Sequence, residues 1–354
     1  MAGSLNILVL GASYGSLLAT KILMAGHSAT LICLPAEAEL INSEGTLVRM
    51  PVRGHDGLVD IPSRDLPGRL DAAGPGAVDP ADYDLAVLAM QEPQYRSEDV
   101  RSLLNRVFEC RVPCMSIMNM PPLPYLKRIS GLDTDPCRTS YADATVWDGL
   151  DPDLMTLCSP DPQAFRPPDQ PVNVLQVRLP TNFKSARFSS DRHTAVLRRL
   201  EADILASRFE VNGEALEIPV KLRVHESLFV PMAKWCMLIA GNYRCVGTDE
   251  VRPIRDAVHD DLSQSRAIYD WVAELCVELG ANGGDMVPFD KYADAARSLV
   301  TPSSAARALA AGAPQIERVD RLVQTLGATR GRQLEAIDGI VTRVDGWLER
   351  NRAA

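Results

Sequence analysis

Two groups of residues in this chain have the types and spacing to do chemistry. The first is the run Gly11-Ala12-Ser13-Tyr14-Gly15-Ser16. A glycine followed by small residues lets the backbone turn tightly, presenting N–H groups and the positive end of a helix to a phosphate. In register the run reads G-x-S-x-x-S, so Gly11 is kept while Ser13 and Ser16 occupy the other two glycine positions of the dinucleotide fingerprint.

The second group lies in the other half of the chain. Lys234 sits inside the apolar run 229–240, where an ammonium is costly unless it has a partner or a task or snorkels from a helix end to water. Asn242 follows eight residues later, about 80° around an ideal helix, so both side chains can face one cleft. Ser303 and Ser304 open a helix after Thr301-Pro302, a position where serine commonly serves as a cap. Glu317 stands near the start of the next helix, where the dipole favours a carboxylate.

The elements that must position these groups follow from periodicity. Ile7 to Leu10 is a buried strand, and Leu17, Leu18, Ile22 and Leu23 recur at helical spacing up to Gly26. Ala29 to Cys33 is the next strand. The Pro/Gly/Asp-rich stretch 51–82 reads as irregular structure or an insertion. Strands are expected over 84–90 and 113–119, with a polar helix over 97–108 between them and another helix over 194–207. In open parallel sheets ligands bind at the carboxyl ends of strands, which would put Gly11, Gln91 and Asn119 on one rim. Beyond 222 the pattern is helical: a central buried helix over 227–242, then 261–279, 303–311, 316–326 and 333–348. The expected fold is α/β: a Rossmann-like doubly wound sheet (1–222) followed by an all-helical domain (223–354).

Composition narrows the function classes. A chain of 354 residues can bury two cores, and 46% hydrophobic with 23% charged residues is ordinary for a globular protein. A net charge of -9 without a basic run argues against nucleic acid. No stretch has the length of a membrane span and no secretory leader is evident, so the cytoplasm is expected. The eight cysteines are dispersed without C-x-x-C, and the five histidines form no metal-binding spacing. Buried free thiols and no metal site are expected.

With these residues in place, the chain resembles the ketopantoate reductase (2-dehydropantoate 2-reductase) family from end to end. The opening glycine turn matches, and the 84–94 segment is similar to the family's second central strand and loop. Met118-Asn119-Met120 stands where the family has Gln-Asn-Gly, which implies that Asn119 contacts the nicotinamide-side ribose. Ala233-Lys234-Trp235 with Asn242 resembles the helix whose lysine protonates the substrate oxygen. Thr301-Pro302-Ser303-Ser304, then Gly312 and Glu317-Arg318-Val319-Asp320, resembles the serine pair and acidic motif that hold substrate. The family's 6-phosphogluconate-dehydrogenase-like helical domain is implied for the second half.

The resemblance implies a small keto acid as substrate and NADP(H), ahead of NAD(H), as cofactor on Gly11 to Ser16, Gln91 and Asn119. Lys234 would stabilise the charge that builds on the carbonyl oxygen and deliver its proton. Asn242, Ser303 and Ser304 would hold the substrate, and Glu317, a catalytic candidate beside Lys234, would help to hold it. A homodimer suits this architecture, although no motif specifies one. The chain departs from the family pattern in four places. Gln91 replaces a lysine, Leu238 replaces an asparagine one turn after Lys234, and the acidic motif is displaced by one residue. Finally, Cys33-Leu34-Pro35 carries neither the basic residue for a 2′-phosphate nor an acidic one for a bare ribose.

Two other readings compete. An opine-type dehydrogenase acting on an imine would suit the G-x-S-x-x-S variant, but needs a histidine in the helical domain, for which His225 is the candidate. A non-catalytic NADP(H)-binding protein would suit the Gln91 and Leu238 replacements.

Overall fold

A computed structural model of the chain describes residues 3–354. The strands in chain order are β1 (Asn6–Leu10), β2 (Ser28–Ile32), β3 (Leu47–Pro51), β4 (Leu58–Pro62), β5 (Leu70–Ala73), β6 (Leu85–Leu88), β7 (Cys114–Ile117), β8 (Met155–Ser159), β9 (Gln163–Phe165), β10 (Val174–Leu179), β11 (Phe183–Ala186), β12 (Phe209–Val211), β13 (Glu214–Leu216) and β14 (Leu222–His225). The α-helices are α1 (Ala12–Met24), α2 (Pro35–Glu44), α3 (Glu98–Glu109), α4 (Leu123–Leu126), α5 (Asp191–Ala206), α6 (Lys234–Met237), α7 (Ile254–His259), α8 (Leu262–Glu278), α9 (Phe289–Ala296), α10 (Ser304–Ala310), α11 (Val319–Thr329) and α12 (Glu335–Ala353).

An eight-stranded sheet runs β14-β11-β8-β7-β6-β1-β2-β5. Its pairs are parallel apart from β11 with β8. Strand β1 is central because Ile7 to Leu10 are fully buried on both faces, the all-apolar pattern that parallel strands require. It pairs with β2 on one side and β6 on the other, so the chain order reverses there, the point where doubly wound sheets bind ligands. A second sheet runs β4-β3-β10-β9, and β12 with β13 forms a hairpin. One continuous core, including Val9, Leu17, Val48, Leu175, Phe183 and Leu197, joins both larger sheets to their helices.

The chain divides into two compact units. The first comprises Met1–Met90, Gln94–Met118 and Gly149–Glu226; the second comprises Gln91–Pro93, Asn119–Asp148 and Ser227–Ala354. The single cut expected at 222/223 therefore misses two segments that join the helical unit. Side chains explain one of them: Trp235 Nε1 donates to the Asn119 carbonyl at 3.2 Å, and Tyr125 Oη donates to the Leu228 carbonyl at 2.6 Å.

Four local expectations need correction. The 51–82 stretch contains β4 and β5, the latter an edge of the main sheet; Leu70-Asp71-Ala72-Ala73 is too short and too weakly apolar to announce a strand. The expected helix over 227–242 is instead composite. A 3₁₀ turn (Pro231–Ala233) leads into α6, then a π-helical segment (Leu238–Asn242) and another 3₁₀ turn (Tyr243–Cys245). Pro231 cannot donate a helical N–H, which accounts for the late start. Glu317 lies outside α11, in the loop before Arg318. All eight cysteines are free, but Cys110 is exposed and Cys33 half-buried rather than buried. Among the described residues no helix is long and apolar enough to cross a membrane.

Candidate functional site

In the first unit, Gly11 follows β1 directly and caps α1 with φ +109. A Cβ there would lie 2.6 Å from Met90 Cγ and 3.0 Å from the Ala89 carbonyl oxygen. Both the backbone angle and the close approach to the end of β6 demand glycine. The N-terminus of α1 has no side-chain cap and no acidic residue in its first turn. Its amide donors and positive dipole are thus left for an anion. Ser13 is exposed at this turn. These features fit the pyrophosphate of a dinucleotide.

The third fingerprint position is displaced. Gly15 packs against β1, where an added Cβ would lie 2.6 Å from Val9 Cγ1. Ser16, expected to meet the cofactor, is buried and donates its hydroxyl to the Ala12 carbonyl one turn back. Close helix–strand packing, the usual task of the last glycine, therefore falls to Gly15. Tyr14 points to protein as well: its hydroxyl donates to the Pro162 carbonyl at 2.8 Å, and its ring meets Phe183 edge-on.

In the second unit the acid–base residues converge on Glu317. Asn119 Nδ2 donates to Glu317 Oε2 at 3.3 Å, and the Glu92 amide makes a long contact to Glu317 Oε1 at 3.5 Å. Burial pushes the Glu317 carboxyl up to about 7, although the Asn119 and Glu92 donors and the Lys234 charge all pull it down. Desolvation wins because the carboxylate is almost wholly removed from water. Tyr243 fixes the loop: its hydroxyl donates to the Glu317 carbonyl and accepts from the Val319 amide. The neighbouring acid is spent otherwise. Asp320 is fully buried in a bidentate pair with Arg318 (2.9 Å for both bonds), and Arg318 also reaches Asp345 at 2.6 Å.

Lys234 is half-buried at the first position of α6. The π segment that follows holds about one residue per turn more than an α-helix, so Asn242 falls back by roughly 100° from its ideal-helix position. That brings it to within about 20° of the Lys234 direction, closer than the 80° expected of a regular helix. The segment is braced by Tyr292, whose hydroxyl donates to the Met237 carbonyl at 3.1 Å. Ser303 donates to the Asn242 carbonyl at 2.7 Å and accepts from the Ala306 amide. Its single O–H is thus spent on positioning Asn242 and capping α10, not on a ligand. Ser304 is exposed.

Gln91 and Asn119, expected on the rim of the sheet, directly follow the segments of the first unit that end at Met90 and Met118, and are grouped with the helical unit. Asn119 keeps one open function, since its buried Oδ1 has no hydrogen-bond partner among the described residues. Glu92 was missed by sequence reasoning. It is buried, and both its carboxylate oxygens lie 3.2 Å from the Ala142 amide. A carboxylate immediately beyond a buried strand was the available signal. Two histidines bear on the imine-reducing reading. His225 ends β14 of the sheet, and the helical unit's His259 binds the Ala293 carbonyl at 2.9 Å.

No protein-family model and no curated sequence matches the chain. Its fold is nonetheless found among solved structures. It is similar to 2-dehydropantoate 2-reductase from Methylococcus capsulatus (TM-score 0.66, 14% identity, 98% of each chain covered). It is also similar to D-mandelate dehydrogenase in a ternary structure with NADH and anilino(oxo)acetate (TM-score 0.63, 11% identity, 98% of this chain and 99% of that one). A third is the dimeric ketopantoate reductase from Staphylococcus aureus (TM-score 0.58, 8% identity, 98% and 100%). The chain has the ketopantoate reductase fold. At these identities the likeness extends to the architecture: an N-terminal α/β domain with a largely parallel sheet and a helical C-terminal region.

Proposed function

We propose that this chain is an NAD(P)H-dependent reductase of a small 2-keto acid, with NADP(H) as the preferred cofactor. The observation that carries the reading is the cluster of Lys234, Asn119 and the buried Glu317 in the helical unit of a reductase fold. The glycine turn at the uncapped start of α1 holds the pyrophosphate. When bound, the nicotinamide supplies a hydride to the keto carbon.

The protein's own part is charge and proton management. Lys234 stabilises the developing oxyanion electrostatically and delivers the proton that makes it a hydroxyl. Glu317, whose carboxyl burial pushes up to about 7, lies near that ammonium and holds Asn119 in place. The open Oδ1 of Asn119 accepts a hydrogen bond from a ligand hydroxyl. Asn242, set toward Lys234 by the π segment and held by Ser303, binds the substrate's polar end.

The test is a thermal-shift screen with NADPH and NADH, followed by nucleotide oxidation with ketopantoate, pyruvate and 2-oxo-2-phenylacetate. Turnover on one of these acids is expected. Tight nucleotide binding with no turnover on any keto acid or imine would replace the enzyme by a cofactor-binding protein. Light scattering on the purified chain tests the proposed homodimer, for which a dimeric neighbour of the same fold is the support.

A further inference from the structure

The end of β2 is where a dinucleotide-binding fold tells a 2′-phosphate from a bare ribose. At that place the local sequence is silent: Cys33 is followed by Leu34, an apolar side chain 74% exposed, and then by α2. The charge comes instead from a remote segment. Arg166, directly after β9, forms an ion pair with Glu37 in the first turn of α2. The guanidinium also acts on Cys33 itself. Burial and Glu37 push that thiol up, to about 11, while Arg166 pulls it down.

The segment that delivers Arg166 is tied to the phosphate turn. Pro162, at its start, accepts the Tyr14 hydroxyl from the first turn of α1, and β9 is held against β10. A single extended stretch therefore runs from the first turn of α1 to the first turn of α2, about 13 Å at strand rise over four residue steps. It passes from the pyrophosphate turn to the ribose end of the site.

We infer that Arg166 is the residue that reads the 2′-phosphate of NADP(H), in place of a basic residue at the end of β2. This rests on the cofactor reading above. The guanidinium has five donors in a planar fork and spends one nitrogen on Glu37, leaving the others for phosphate oxygens. Both side chains of the pair are largely sheltered, Arg166 28% and Glu37 13% exposed, so the charge is weakly screened and held in one place. Glu37 aligns the fork, and its own negative charge opposes a phosphate. Leu34 offers an apolar face beside the pair against which an adenine ring can pack.

The experiment measures dissociation constants of NADPH, NADH and adenosine 2′,5′-bisphosphate by titration calorimetry, for the natural chain, Arg166→Gln and Glu37→Gln. Arg166→Gln is expected to weaken both 2′-phosphorylated ligands by roughly tenfold to a hundredfold, the size of a lost charge-assisted bond. NADH should change by no more than about twofold, which also shows that the variant is folded. Glu37→Gln should keep or tighten NADPH. Equal weakening of NADPH and NADH by Arg166→Gln, or no change in either, overturns the inference while leaving the cofactor reading intact. So does a loss of NADPH in Glu37→Gln as large as in Arg166→Gln, because the pair would then be a structural clasp. If the natural chain binds neither nicotinamide nucleotide, the cofactor reading itself fails.

Discussion

Asn119 and Glu317, 198 positions apart in the chain, meet through a 3.3 Å hydrogen bond from the Asn119 amide to Glu317 Oε2. The contact holds a carboxyl whose burial has carried it to about 7, and it leaves the Asn119 carbonyl oxygen open. One pair thus supplies a titrating group and an acceptor.

The Glu317 shift has a signed consequence for stability. The native state keeps a proton up to about pH 7, whereas the unfolded chain releases it near 4.5. Between those values the native state binds more protons, so stability falls as pH rises. The cost above pH 7 is on the order of 3 kcal/mol. Glu317→Gln should flatten this slope in urea titrations at pH 5 and pH 8. An unchanged slope would show that the carboxyl ionises normally.

Lys234→Ala should lower turnover by on the order of 10²–10⁴-fold, the range for loss of a positioned proton donor. Nucleotide affinity should stay within about twofold, since the turn proposed to hold the pyrophosphate belongs to the other unit. Stopped-flow turnover and calorimetry read the two effects separately. A fully active alanine variant would remove Lys234 from the chemistry.

The displaced third glycine makes an uneven pair of substitutions. Gly15→Ala drives a methyl to 2.6 Å from Val9 Cγ1, a stiff side chain in the central strand. It should cost roughly 1–3 kcal/mol by overpacking. Ser16→Ala loses only a hydroxyl bonded back to Ala12 and should stay within about 0.5 kcal/mol. Denaturant midpoints decide; the reverse order would return the packing role to position 16.

Lys21 is a buried cation outside the site. It is 1% exposed in α1, donates to the Ile218 carbonyl at 2.9 Å, and burial brings it down to about 7. Below pH 7 the native state must hold an ammonium in an apolar place; between 7 and about 10.5 it binds fewer protons than the unfolded chain, so stability rises with pH. The penalty at acid pH is on the order of 5 kcal/mol. Lys21→Met should therefore stabilise the chain more at pH 6 than at pH 9, as read from melting temperatures at both.

The sequence alone carries much of the first unit. Ile7 to Leu10, Gly11 and the Leu17–Leu18–Ile22–Leu23 spacing specify a strand, a turn and a helix, because burial on both faces and a positive φ restrict residue type locally. Lys234 stood out for a similar reason: a charge within an apolar run is anomalous whatever the fold.

Tertiary structure decided what depends on long-range meetings. Which of Glu317 and Asp320 Arg318 takes follows from its closing on Asp320, and which serine caps follows from where α10 begins. The placing of Asn119 in the helical unit depends on Trp235, more than a hundred residues away. The phase of Asn242 depends on a π segment braced by Tyr292, and the cation at the end of β2 arrives on a segment 130 residues downstream of Cys33. Local sequence encodes backbone preference and burial periodicity, both short-ranged. Hydrogen bonds and ion pairs between distant segments are settled only when the chain packs, because each buried polar group must take whatever partner the fold brings within reach.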